Sequence, residues 1–304
     1  MGKIAFLFAG QGAQSVGMGK DLYDNNAAAK AVFDMGEAIR PGSEAMCFEG
    51  PGEALTQTEN TQPCLFLTDL ACARALEAAG IKADVAAGFS LGELPALAFA
   101  GVLSDDDAFR LVTLRGQKMS ECAAKHPGSM VAALKLDNAK VEEVCAGFKN
   151  VYPVNYNCPG QIVITGAADA VGEAGDACKE AGAKRVVPLK VSGPFHSALL
   201  AEAGKKLGEA LEDVTIQPIT IPYLTNVTAD YVKDPADVKD YLVRQVSSSV
   251  RWQQTIERLI ADGAEEFVEI GPGRSLSGFM RKINRDVTTC NIDKMEDFNK
   301  YVNR

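Results

Sequence analysis

Histidine is scarce in this chain: there are two among 304 residues, and only one tryptophan. Any chemistry that needs an imidazole base therefore has two candidates. Long apolar runs are missing as well. None approaches the roughly eighteen residues that a membrane-spanning helix needs, which argues against a membrane protein of the helical kind. The eight cysteines (47, 64, 72, 122, 145, 158, 178 and 290) form no C-x-x-C pair and no tight group. Zinc ribbons and thioredoxin-like redox sites are thereby disfavoured, and scattered cysteines in apolar surroundings read as reduced core residues of a cytoplasmic protein. Positive charge is in deficit, with a net charge of -9 and a pI near 4.9. Nucleic acid and anionic membrane surfaces are poor partners for such a chain as a whole. No internal repeat and no low-complexity tail appears.

What is present is the composition of a globular protein with a large core, 47% hydrophobic and 23% charged. Near the N-terminus Lys3 precedes a short apolar run, but Gln11-Gly12-Ala13-Gln14 interrupts it too early for the apolar region of a signal peptide. Ile4 to Phe8 reads instead as a buried first strand. The turn after it, Gly10-Gln11-Gly12, has Ser15 where a dinucleotide-binding fingerprint needs its third glycine, so nucleotide binding is not expected.

Further on, helical spacing covers 27–39 and 63–80, and Ser104-Asp105-Asp106-Asp107 reads as the capped start of another helix. Then the pattern changes. Strand 130–134, helix 138–148, strands 151–156 and 161–165, helix 169–181 and strand 185–191 follow one another. That β-α-β-β-α-β order is the one of a ferredoxin-like unit. Pro/Gly turns bound it at Lys125-His126-Pro127-Gly128 and Val191-Ser192-Gly193-Pro194. Beyond it come helix 197–211, strand 219–225, helices 237–245 and 250–262, and strand 266–270. The expected fold is α/β: a mainly parallel, hydrolase-like sheet core (1–126 and 194–304) carrying an inserted ferredoxin-like subdomain (127–193).

Within the core, Val85 to Phe89 runs into Ser90, flanked by Gly88 and Gly92, with a helix expected over 91–100. G-x-S-x-G at a strand-to-helix turn places a serine hydroxyl at the end of a sheet, beside a helix N-terminus that favours negative charge. A serine here serves either as a nucleophile or as a helix cap. A nucleophile needs a base. His126 sits in what reads as a surface turn. His196, in Gly193-Pro194-Phe195-His196-Ser197, follows a strand and precedes a helix, where α/β proteins place their sites, so it is the favoured partner. No acidic residue stands out as its orienting group, and a backbone carbonyl could do the same work.

Taken together, Gly10-Gln11-Gly12, Gly88-Phe89-Ser90-Leu91-Gly92-Glu93, Arg115-Gly116, Gly193-Pro194-Phe195-His196-Ser197 and Glu269-Ile270-Gly271-Pro272-Gly273 occur in an order that resembles the malonyl-CoA:acyl carrier protein transacylases. The likeness runs from Phe8 to Gly273, and five separated motifs are far more specific than one. It also implies the inserted ferredoxin-like subdomain. By that resemblance Ser90 attacks the thioester and His196 takes its proton, while the backbone N–H groups of Gln11 and Leu91 form the oxyanion hole. Gln245 matches the position whose main-chain carbonyl orients the histidine, Arg115 would pair with the malonyl carboxylate, and Phe195 resembles the malonyl-selecting form of its motif. Asn155 and Gln161, at the subdomain rim, are further candidates for substrate contact.

The implied partners are malonyl-CoA and the phosphopantetheine arm of an acyl carrier protein, with no metal and no bound cofactor. Arg281, Lys282 and Arg285, or Lys184 and Arg185, could dock that acidic carrier. One residue departs from the family pattern: Phe89 stands where a histidine is usual. Two other readings remain, a serine hydrolase or thioesterase of the α/β or patatin-like kind and a non-catalytic carrier-binding module.

Overall fold

The computed structural model describes residues 2–191 and 193–304; Met1 and Ser192, the latter within the turn expected as a hinge, lie outside the described residues. Strand β1 (Lys3–Phe8) is the centre of the larger sheet. It carries an unbroken apolar run because strands pair with it on both sides and helices cover both faces. Parallel to it run β2 (Val85–Gly88) on one side and, on the other, β8 (Ala264–Ile270) followed by β9 (Thr288–Ile292). A two-residue strand, β7 (Tyr223–Leu224), closes the far edge. The order is β7-β2-β1-β8-β9, all parallel, so the loops after β1 and β2 emerge side by side at one end of the sheet.

The smaller sheet contains β3 (Gly128–Leu134), β4 (Val151–Cys158), β5 (Gln161–Ala167) and β6 (Arg185–Pro188), antiparallel, in the order β4-β5-β3-β6. With helices Asn138–Ala146 and Ala168–Glu180 on one face, this is the ferredoxin-like arrangement that the element order implies. Those helices bury Val141, Cys145, Val171, Ala174 and Cys178 against Ile162 and Ile164 in a core of their own. Backbone bonds between Val154 and Val250 and between Tyr156 and Val250 tie β4 to the larger sheet's side of the molecule.

Several boundaries differ from the sequence expectation for identifiable reasons. The strand expected over 219–225 shrinks to Tyr223–Leu224, because Pro218 and Pro222 lack the N–H that a ladder needs. The helix expected to start at Pro63 begins at Thr58 instead. Proline favours a first turn, but here it sits inside a helix buried around most of its circumference. The segment 91–100 is a 3-10 turn, Ser90–Gly92, leading into the helix Glu93–Phe99. Strand β9 was not anticipated: Thr288-Thr289-Cys290-Asn291 shows no apolar alternation, and it is a partly exposed edge strand. All eight cysteines are free thiols and seven are buried. Among the described residues no helix is long and apolar enough to cross a membrane.

The turn between β2 and Glu93–Phe99 is tightly packed against backbone. A Cβ on Gly88 would stand 2.0 Å from the backbone of Gly92, and one on Gly92 would stand 2.3 Å from the Phe8 carbonyl oxygen. Only hydrogen fits between these backbones. We expect Gly88→Ala to destabilise the protein by about 3 kcal/mol or more, since rigid backbone cannot yield to the added methyl. Gly172→Ala, in a helix where a Cβ meets nothing within 4 Å, should stabilise it by about 0.5–1 kcal/mol. Urea unfolding midpoints check both.

Candidate active site

The glycine-backed turn forces Ser90 into the left-handed region, with φ +56°. The capping alternative gives way: the N-cap of the helix Glu93–Phe99 is Gly92, and the Ser90 hydroxyl pairs with His196 and Arg115 instead. The strain is held from both sides by Asn226, just after β7. Its amide donates to the Gly88 carbonyl at 2.6 Å and accepts from the Ser90 N–H at 2.7 Å.

Ser90 Oγ lies 2.7 Å from His196 Nε2. The other ring nitrogen, Nδ1, is 3.0 Å from the Gln245 carbonyl oxygen and 3.1 Å from that of Ser248. Both of those are acceptors, so Nδ1 carries the proton and Nε2 is left with a lone pair facing the serine hydroxyl. Two carbonyls thus orient the imidazole where many serine enzymes use a carboxylate. His196 itself has φ +61° and is 4% exposed. Burial and the nearby Arg115 charge push its pKa down to about 4, against the smaller opposing pull of the two carbonyls. At neutral pH it is an uncharged base. His126, by contrast, is exposed at the end of the helix Asp105–Lys125.

Arg115, on that same helix, reaches the serine from the other side and is 1% exposed. Its Nη1 donates to Gln62 Oε1 at 2.8 Å, and its Nη2 to Gln245 Oε1 at 2.9 Å and more weakly to Ser90 Oγ at 3.4 Å. Its Nε is buried with no partner. Burial pushes its pKa down to about 10, with the Glu93 charge opposing, so it remains a cation at neutral pH. Among the described residues no carboxylate is hydrogen-bonded or ion-paired to it, and both close partners are neutral amides.

Gln245 joins the two halves of the site. Its main-chain carbonyl holds His196 and its side-chain carbonyl accepts from Arg115, while its amide nitrogen donates to the Ser90 carbonyl at 2.6 Å and to Glu93 at 3.0 Å. Glu93, 1% exposed, also accepts the Asn226 N–H at 3.1 Å. Burial raises its pKa, against the pull of these donors.

A cleft of about 80 Å³ opens over Ser90 and His196, lined also by Gln11, Gln62, Phe89, Met119, Met130, Asn155, Leu189, Val191 and Phe195. Seven of the nine residues expected at a site, Ser90, His196, Gln11, Arg115, Phe195, Gln245 and Asn155, therefore line this cleft or bond its reacting pair. Leu91 is next to Ser90 and fully buried. Gln161 stands apart: its side chain accepts from Lys282 at 2.8 Å at the surface, and it does not line the cleft. Phe89 packs edge-on to Trp252 at 5.5 Å and tilted against Phe279 at 6.2 Å, so an apolar contact fills the place of the family's usual imidazole. Glu93, Asn226, Gln62 and Ser248 are part of the network but were not singled out from sequence. Glu93 lies within the serine motif and was the one most open to discovery. The other three sit in segments with no pattern of their own.

Comparisons with known proteins bear on the family and the fold. Residues 5–292 match the model of the acyl transferase domain family. The chain is 44% identical over 301 residues to the malonyl CoA-acyl carrier protein transacylase of Bacillus subtilis (strain 168), covering 97% of this chain and 95% of that one. The crystal structure of the transacylase of Streptococcus pneumoniae superposes with a TM-score of 0.95 at 39% identity, covering 99% of each chain. A malonyl-transacylase solved in complex with a type II PKS acyl-carrier protein gives the same TM-score, 0.95, at 36% identity over 99% of each chain. The chain belongs to the malonyl CoA-acyl carrier protein transacylases, within the acyl transferase family.

Proposed function

We propose that this protein moves the malonyl group from malonyl-CoA to the phosphopantetheine thiol of an acyl carrier protein through a malonyl ester on Ser90. The observation that carries the choice of acyl group is Arg115. A buried guanidinium whose described partners are two neutral amides and the serine hydroxyl, with an unpartnered Nε, is a ready receptor for a substrate carboxylate. A general esterase gains nothing from such a cation.

In the first half-reaction Ser90 Oγ adds to the thioester carbonyl as its proton passes to His196 Nε2. The N–H groups of Gln11 and Leu91, from the adjacent loops after β1 and β2, are assigned to the oxyanion. Each such donor is worth roughly 10²–10³ in rate. The C–S bond then breaks, and the imidazolium gives its proton to the departing CoA thiolate, leaving CoA–SH and a neutral base. In the second half-reaction the carrier's thiol gives its proton to His196 and attacks the ester, and Ser90 recovers the hydroxyl proton. One thioester is exchanged for another, so the overall step is close to balanced and reversible.

Phe195 narrows the space beside the α-carbon, and Asn155, with a buried unpartnered Oδ1 in the cleft, is assigned to the substrate. Gln161, bonded to Lys282 at the rim, is assigned at most to the outer part of the pantetheine arm. The exposed Arg281, Lys282 and Arg285 are assigned to carrier docking, as are Lys184 and Arg185 on the small sheet. Residues 127–193 are assigned as a unit inserted between 1–126 and 194–304, and the cytoplasm as the compartment.

Product analysis separates transfer from hydrolysis. With malonyl-CoA and holo carrier present, malonyl-carrier should account for nearly all malonyl groups consumed, and free malonate in its place would indicate a hydrolase. Arg115→Ala should lower kcat/KM for malonyl-CoA by about 10²–10³, the scale of a lost buried charge pair, and raise the acetyl share of products. Unchanged selectivity would remove Arg115 from the carboxylate site. Because His196 acts unprotonated, acylation of the free enzyme should hold from pH 7 down to about pH 5 and fail around its pKa of about 4. The same lowered pKa means the unfolded chain takes the proton first, so folding stability declines as pH drops from about 6.5 towards 4. A kcat/KM profile, read beside a melting curve at each pH, checks the limb.

A further inference from the structure

Three groups described facing Glu93 donate to it: the Asn226 N–H, the Gln245 side-chain amide and the Thr225 hydroxyl, of which only the hydroxyl oxygen is also an acceptor. These donors and the nearby Arg115 charge favour the carboxylate, against the cost of burying it. This buried negative charge lies one amide away from Arg115. Gln245 Nε2 donates to Glu93 and Gln245 Oε1 accepts from Arg115, so the amide dipole links the two ions head to tail. The donation to Glu93 also fixes which way the amide faces, since a flipped Gln245 would point its NH₂ at the guanidinium.

We propose that Glu93 is a specificity-determining residue: its charge, relayed through Gln245, partly neutralises Arg115 and so limits how tightly the malonyl carboxylate is held. The inference rests on the assignment of Arg115 to that carboxylate. The physical reason for such a device is turnover. The carboxylate is remote from the reacting carbonyl and keeps its charge throughout, so holding it strengthens ground state and transition state alike. Unrestrained binding at a buried, uncompensated arginine would stall the malonyl ester on the enzyme and slow product release. A counter-charge within the same buried network leaves enough field to choose malonyl over acetyl and lets the acyl group depart.

The test is Glu93→Gln, with steady-state kinetics for malonyl-CoA and acetyl-CoA measured on the same preparation. The amide keeps the shape and removes the charge. The malonyl-over-acetyl ratio of kcat/KM should rise on the order of tenfold, the scale of one unit charge acting over a few bonds in a partly screened interior, with the change appearing in KM for malonyl-CoA. A merely structural role would lower both substrates together and leave the ratio alone. An unchanged or falling ratio overturns the proposal. Should Glu93→Gln not fold, Glu93→Asp withdraws the charge by one methylene and should shift the ratio the same way by a smaller factor; no shift there is equally contrary. The wild type distinguishes the two levels of failure. If it does not prefer malonyl-CoA to acetyl-CoA, the function assigned to Arg115 is wrong, whereas a selective wild type with an indifferent Glu93→Gln refutes only the role of Glu93.

Discussion

The pairing of Ser90 with His196 depends on a backbone that cannot relax. Two glycines bring the Gly88 and Gly92 peptides into contact, and the helix after β2 lies directly against the end of β1. A serine placed in that turn has no room to turn inward, and its φ of +56° is held by Asn226 on both flanks. Everything else in the site is arranged to meet a hydroxyl whose position is already fixed. His196 comes from the far side of the inserted sheet, 106 positions later, and is aligned by carbonyls of the last residue of the helix Val238–Gln245 and of Ser248 just beyond it. Main-chain acceptors cost the site no second buried charge. They stabilise an imidazolium less than a carboxylate would, so the resting ring stays neutral.

That choice has an electrostatic counterpart. A buried carboxylate beside the histidine would raise its pKa and would also repel the substrate's own carboxylate. This site bonds its buried carboxyl group, Glu93, to the side chain of Gln245 rather than to the base, and keeps its positive charge on Arg115 next to the serine. The guanidinium then does two things: it helps to keep His196 unprotonated, and it leaves a donor for an anionic acyl group. One glutamine ties base, cation and counter-charge together, so none of the three can move alone.

Much of this was legible from residues alone, where a local rule leaves few solutions. The serine turn was visible because only glycine fits at 88 and 92, and the base because histidine is so rare that His196 had one competitor. The ferredoxin-like insertion was visible because its strands and helices alternate cleanly between Pro/Gly turns. What was not legible are long-range contacts made by ordinary residues. Asn226 and Gln62 lie in segments whose spacing signals nothing, and their importance arises only when β7 and the helix Thr58–Ala78 meet the serine turn. Strand β9 was hidden for a related reason, since an edge strand that is partly wet carries no apolar period. The resemblance named Gln245 through its backbone, but its side chain, the hub of the network, has no sequence signature.

The most direct measurement is the intact mass of the protein shortly after mixing with malonyl-CoA, in the absence of carrier, beside a Ser90→Ala control. One malonyl group should appear per chain, on the peptide containing Ser90, with an equal amount of CoA released, and the alanine variant should remain unmodified. Turnover of malonyl-CoA with no acylated chain, or an adduct that persists in the Ser90→Ala protein, would contradict the account.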